Sequence, residues 1–147
     1  MSRVAFVNGR YCELSESLVN VEDRGYQFAD GVYEVFTVVN TKIVDFKPHI
    51  DRLYRSLSEL NIKSPIVKSA YLLHIKNIIK KNLIINGTVY LQITRGVAPR
   101  DFKYKKNMKS SITIIGKIIH DHIFQKPIQA DIKEITTKDK SRRRWEI

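Results

Sequence analysis

The sequence predicts an α+β domain, an antiparallel sheet carrying two helices. Two observations lead there. Short β-rich segments come in hairpin-like pairs, and two amphipathic stretches fall together between the second pair and the third. The resulting order, ββ-ββ-αα-ββ, lacks the strand–helix alternation of a parallel α/β sheet.

Each element has its own signal. Residues 3–8 and 10–14 flank Asn8-Gly9, the strongest two-residue hairpin sequence. Residues 32–39 (VYEVFTVV) are β-branched and aromatic, and they reverse at Asn40-Thr41 into a strand expected over 42–46. Residues 88–95 alternate, with Val89, Leu91 and Ile93 on one face and Tyr90, Gln92 and Thr94 on the other. Residues 111–118 and 128–135 read as further strands.

Pro48 suits a first helical turn, after which Ile50, Leu53, Leu57 and Leu60 form one apolar stripe. Ser64-Pro65 is expected to start the second helix, with Tyr71, Leu72, Ile75, Ile78 and Ile79 on its buried face. Residues 120–127 (HDHIFQKP) read as an interdomain linker. They would separate a small N-terminal domain, 1–119, from the start of a second, truncated domain at 128–147.

Composition narrows the functional classes. The 147 residues are 43% hydrophobic, enough for a real core. A net charge of +11 raises nucleic acid as a partner, yet the basic residues are mostly Lys scattered among Ile and Asn. That pattern describes solvated faces. The one dense run, 138–144 (KDKSRRR), is terminal, so nucleic acid is not expected as a partner. Cys12 is the single cysteine, which excludes an intramolecular disulfide and fits a reducing cytoplasm. No run approaches the ~18 apolar residues of a membrane span, and the N-terminus lacks a signal-peptide core. A cytoplasmic protein without membrane partners is expected. His49, His74, His120 and His122 form no metal-ligand pattern.

Three segments carry chemistry. Residues 23–35 (DRGYQFADGVYEV) combine a turn, a second bend at Asp30-Gly31 and a strand. Residues 48–54 (PHIDRLY) place Arg52 away from the stripe of Ile50, Leu53 and Leu57 at 100° per residue, free to face a ligand. Residues 92–100 (QITRGVAPR) end on an arginine in a proline-containing loop. Taken alone, these are a decorated loop, a solvated helix position and a surface charge.

Together, they resemble the D-alanine aminotransferases, pyridoxal-phosphate (PLP) enzymes of class IV and fold type IV. The first run matches that family's DRGYQFGDGVYEV signature with Ala29 as its one departure. The second is similar to its H-I-D-R-L motif, and the third to Q-I-T-R-G-x-x-P-R.

The resemblance implies that Arg52 holds the PLP phosphate, a role suited to a guanidinium fork. It implies that Tyr33 and Arg100 bind the substrate carboxylate. It also implies a homodimer, because the arginine loop crosses to the neighbouring subunit's site. The family's carboxylate trap includes a histidine where Phe102 stands, which puts D-amino acid selectivity in question. Branched-chain aminotransferases and aminodeoxychorismate lyase share the fold, and GVYEV tips the choice to the D-alanine type. The implied reaction moves an amino group from a D-amino acid to a 2-oxo acid.

Transamination needs a lysine that holds PLP as a Schiff base and moves the α-proton. In the family it follows a run resembling R-W-x-R-x-D-I-K. Whether Arg144-Trp145 or Glu146-Ile147 is aligned to that run, the lysine falls past Ile147. Lys138 and Lys140 are poor surrogates in a solvated, charged run. The chain alone is therefore expected to be inactive and not to retain PLP. It would be completed in trans by a C-terminal fragment, or serve as a non-catalytic dimerisation module. A face over 128–135 missing its partners would favour self-association.

Overall fold

A computed structural model describes residues 3–119. The linker at 120–127, the strand at 128–135, the second domain, Lys138 and Lys140 all lie outside the described residues.

Six strands form one antiparallel sheet: β1 Val4–Val7, β2 Arg10–Glu13, β3 Gly31–Val39, β4 Lys42–Ile43, β5 Gly87–Thr94 and β6 Ser111–Ile118. Their order across the sheet is β2-β1-β6-β5-β3-β4. Three helices accompany them: a short α1, Arg24–Phe28, and two long ones, α2 Phe46–Glu59 and α3 Lys68–Lys81. The α+β expectation holds, with its two long helices and one short helix besides.

Both hairpins turn tightly. Asn8 (φ 47°) and Gly9 (φ 94°) sit in the left-handed region, as a two-residue turn matched to strand twist requires. Asn40 and Thr41 do the same at φ 48° and 64°. Here the turn is held from outside, since Asn40 N donates to Asn86 Oδ1 and Thr41 N to the Ile85 carbonyl.

Alternation along the strands decides which face is covered. Val32, Phe36 and Val38 of β3, Val89, Leu91 and Ile93 of β5, and Ile112 and Ile114 of β6 point into one core. Ile50, Leu53 and Leu57 of α2 close it, together with Tyr71, Ile75, Ile78 and Ile79 of α3. The opposite face carries Tyr33, Val35 and Tyr90; α2 and α3 close the core face instead, while Gly25 of α1 lies against Thr94.

Three local expectations need correction. The strand over 42–46 stops at Ile43, because Asp45 adopts a left-handed φ of 49° and leads straight into α2. Leu60 is 41% exposed, not part of the stripe, because α2 has already ended there. Ser64-Pro65 does not open α3, which starts at Lys68. Ser64 Oγ instead donates to the Ile66 carbonyl and meets the Tyr71 hydroxyl at 2.7 Å, and proline biases its predecessor away from helix.

Candidate active site

The 23–35 segment folds as α1 followed by β3. Asp23 caps α1 by accepting from Gly25 N at 2.8 Å, and the helix ends on Ala29 in the left-handed conformation at φ 54°. Gly31 then enters β3 so close to β5 that a Cβ would lie 2.7 Å from the Ile93 carbonyl oxygen. Glycine is required by that approach.

From Gly31 onward β3 sorts its residues by face. Tyr33 lies on the uncovered face, 64% exposed, stacked on Tyr90 with ring centroids 5.6 Å apart. Glu34 lies on the helix-covered face and is 3% exposed. A carboxylate on a core face needs partners, and α2 supplies two. Arg52 donates to it twice, Nε to Oε1 and Nη2 to Oε2, both at 2.7 Å. His49 Nδ1 lies 2.7 Å from Oε2, a distance that calls for a proton on Nδ1.

Burial raises the Glu34 pKa, but the hydrogen bonds and charges of Arg52 and His49 outweigh it and hold the carboxyl below its usual range. The same carboxylate raises the Arg52 pKa further. Arg52 does point away from the Ile50–Leu53–Leu57 stripe, as helical geometry requires, yet it is not free. Its fork is half engaged. Its side chain remains 56% exposed, and no hydrogen bond from Nη1 occurs among the described residues.

A second cluster organises the β5–β6 loop. Asp30 Oδ2 accepts from Arg24 Nε and from Arg95 Nε, each at 2.8 Å. The remaining donors reach backbone. Arg24 Nη1 donates to the Asp101 carbonyl at 2.6 Å, and Arg95 Nη2 and Nη1 to those of Leu60 and Asn61 at 2.8 and 3.2 Å. Burial raises the Asp30 pKa, while hydrogen bonds from Arg95 and Arg24 lower it by more, for a net downward shift.

Arg100 rides on this loop and is exposed. Its guanidinium lies over Phe28, 5.2 Å from the ring centroid, and 6.0 Å from that of Phe102. Phe102 is 81% exposed and has no side-chain donor. Tyr33, Arg52 and Arg100 share no hydrogen bond or ring contact among the described residues. None of the three lines the clefts of ≈330, ≈380 and ≈410 Å³, although Tyr90, which stacks on Tyr33, lines the last. All three side chains are exposed on the surface of residues 3–119.

The family model for amino-transferase class IV matches residues 31–145, the stretch containing Tyr33, Arg52 and Arg100. The chain belongs to the class IV aminotransferases.

Among curated members, it is 41% identical over 106 residues to the D-alanine aminotransferase of Bacillus licheniformis, covering 72% of this chain and 38% of that protein. It is 45% identical over 91 residues to the D-alanine aminotransferase of Listeria innocua, covering 62% of this chain and 32% of that one. The chain thus spans well under half the length of these relatives.

Among solved structures, the Escherichia coli branched-chain amino acid aminotransferase superposes with a TM-score of 0.75 at 13% identity, over 81% of this chain and 40% of that one. A second branched-chain enzyme, from T.th. and solved with pyridoxamine 5'-phosphate, gives 0.75 at 16%, over 82% and 41%. These likenesses establish the class IV aminotransferase fold. No helix of the described residues is long and apolar enough to cross a membrane. No group of His, Cys, Asp and Glu among them has metal-site geometry.

Sequence reasoning singled out Tyr33, Arg52 and Arg100 but assigned no role to Glu34, His49, Arg24, Asp30 or Arg95. One signal was available. In β3, Glu34 falls in phase with Val32, Phe36 and Val38. A carboxylate in phase with core residues announces a buried partner.

Proposed function

We propose that this chain supplies the small half of a PLP-dependent transaminase that moves an amino group from a D-amino acid, D-alanine in the first instance, to a 2-oxo acid. Similarity at 41–45% to proteins named D-alanine aminotransferase carries this reading. The branched-chain structures, at 13–16%, are alike in fold alone.

The donor set fits the cofactor. Arg52 offers an exposed guanidinium edge beside Glu34, and two hydrogen-bonded contacts fix its orientation. A phosphate oxygen suits that edge. When bound, PLP supplies the electron sink for the α-carbon.

The described residues would bind and orient. Arg52 would anchor the phosphate end. Arg100 and the Tyr33 hydroxyl would take the substrate carboxylate, setting the Cα–H bond in place for a base. That base is a lysine outside the described residues. Phe102, which cannot donate, leaves carboxylate recognition to Tyr33 and Arg100. The exposure of Tyr33, Arg52 and Arg100 supports a site completed by another polypeptide surface: a second domain or a C-terminal fragment in trans, with the partner subunit of a homodimer. The chain alone would then be inactive.

The test is a coupled pyruvate assay with D-alanine and 2-oxoglutarate. The chain is assayed alone and after co-expression with the C-terminal remainder of a D-alanine aminotransferase such as that of Bacillus licheniformis. No turnover alone and D-alanine-dependent pyruvate from the complex are expected. A purified, PLP-loaded complex that uses L-leucine and ignores D-alanine would transfer the chain to the branched-chain type. A stable complex inert toward both would leave it a dimerisation module.

A further inference from the structure

We infer that Arg24 is a positioning residue for Arg100, acting through a buried ion cluster that fixes the loop between β5 and β6. The inference rests on reading Arg100 as the carboxylate-binding group.

The loop is held at two places on either side of Arg100. Its first stretch is pinned by backbone. Arg24 N donates to the Gly96 carbonyl at 2.9 Å, Arg95 N to that of Asp30 at 3.0 Å, and Ala98 N to that of Glu22 at 3.3 Å. Asp23 and Val97 also form a β-bridge. The stretch after Arg100 has no such ladder. It is held by the Arg24 side chain, whose Nη1 reaches the Asp101 carbonyl at 2.6 Å and whose Nη2 lies 3.5 Å from that of Phe102. The ring of Tyr104 adds a second hold, 3.8 Å from the Arg95 guanidinium and 5.4 Å from that of Arg24. Arg100 is the residue between the two holds.

Asp30 makes this possible. Arg24 and Arg95 are 5% and 8% exposed in their side chains, and two buried cations need an anion between them. Asp30 Oδ2 accepts from both. It fixes the plane of the Arg24 fork and thereby aims its other edge at the loop carbonyls. The Phe28 ring completes the arrangement. Arg24 lies over it at 4.7 Å from the centroid and Arg100 at 5.2 Å, so one ring registers both guanidinium groups. A lysine in place of Arg24 would keep the charge but not the fork, since an ammonium is a point donor without fixed geometry. It would pair with Asp30 and release the carbonyls.

The first readout is independent of turnover. In the full 147-residue chain, the Arg100 Nε–H resonance should be displaced by the Phe28 ring current. Arg24→Lys is expected to move it to the position of a solvated arginine, while amide protection along β5 stays as in the parent. Tyr104→Ala, at an exposed position that leaves the cluster's ion pairs intact, should move it part of the way. It serves where Arg24→Lys does not fold.

The second readout uses the complemented enzyme. Arg24→Lys should raise KM for the amino acid roughly tenfold with a smaller change in kcat. Arg100→Ala separates the two layers. If Arg100→Ala leaves KM unchanged, the carboxylate reading fails. If Arg100→Ala raises KM while Arg24→Lys does not, positioning alone fails. Loss of β5 protection together with the loop, or an unmoved Arg100 resonance in both variants, would also overturn it.

Discussion

Asp30 and Glu34 each hold two basic side chains, and they do so for different ends. Around Asp30 the bases are buried, and both arginines commit their remaining donors to backbone carbonyls. Around Glu34 the carboxylate is buried at 3%, but Arg52 leans out with 56% of its side chain exposed. The first cluster is closed and the second open. Burying the anion and not the cation keeps a guanidinium oriented while leaving part of it for a ligand. Burying all three groups makes a fastening.

Variants can break that contrast. Asp30→Ala strands two buried arginines, and equilibrium unfolding should register a loss of about 3–5 kcal/mol, or no folded protein at all. Glu34→Ala removes an anion that is buried more deeply, 3% against 13% exposed, but whose partners can turn to solvent. The loss should be smaller, about 1–3 kcal/mol. Equal losses at the two sites would erase the distinction.

Acid titration reads both clusters at once. Asp30 and Glu34 have folded pKa values depressed below the ordinary 3.8 and 4.5. Their contribution to stability is therefore complete above about pH 5 and is lost as pH falls through and below those values. Asp30→Asn should flatten the stability profile below about pH 5 more than Glu34→Gln does. A profile unchanged in both variants would count against both ion clusters.

The smallest expected effect concerns Ala29, which lies between Arg24 and Asp30 with φ 54°. An alanine there carries left-handed strain that glycine avoids. Ala29→Gly should stabilise the chain by up to about 1 kcal/mol in urea unfolding, without displacing the Asp30 cluster. Destabilisation would show that the turn's entropy matters more than its strain.

What was legible in the sequence follows from range. Strand faces, both hairpin turns and the stripe of α2 depend on neighbours within a few residues, and the patterns at Val89–Leu91–Ile93 and Ile50–Leu53–Leu57 give them directly. The candidate residues Tyr33, Arg52 and Arg100 were legible through family motifs. Their settings were not. The Arg52–Glu34 pair spans 18 positions and Arg24–Asp101 spans 77, so both depend on how α2 and the β5–β6 loop dock. α1 was missed because five residues are too few for a helical period to show. The start of α3 was misplaced because the Ser64 hydroxyl serves Ile66 and Tyr71 in place of a helix cap.

The claim that the open cluster is a ligand site has one direct test. The complemented, PLP-loaded protein is dialysed, and cofactor affinity is measured by absorbance for the parent and for Arg52→Ala, with thermal stability recorded alongside. A loss of affinity of roughly tenfold to a hundredfold, the range for a hydrogen bond to a charged group, is expected at little change in melting temperature. Unchanged PLP affinity in Arg52→Ala would remove Arg52 from the cofactor site and leave the Glu34 cluster a structural ion pair.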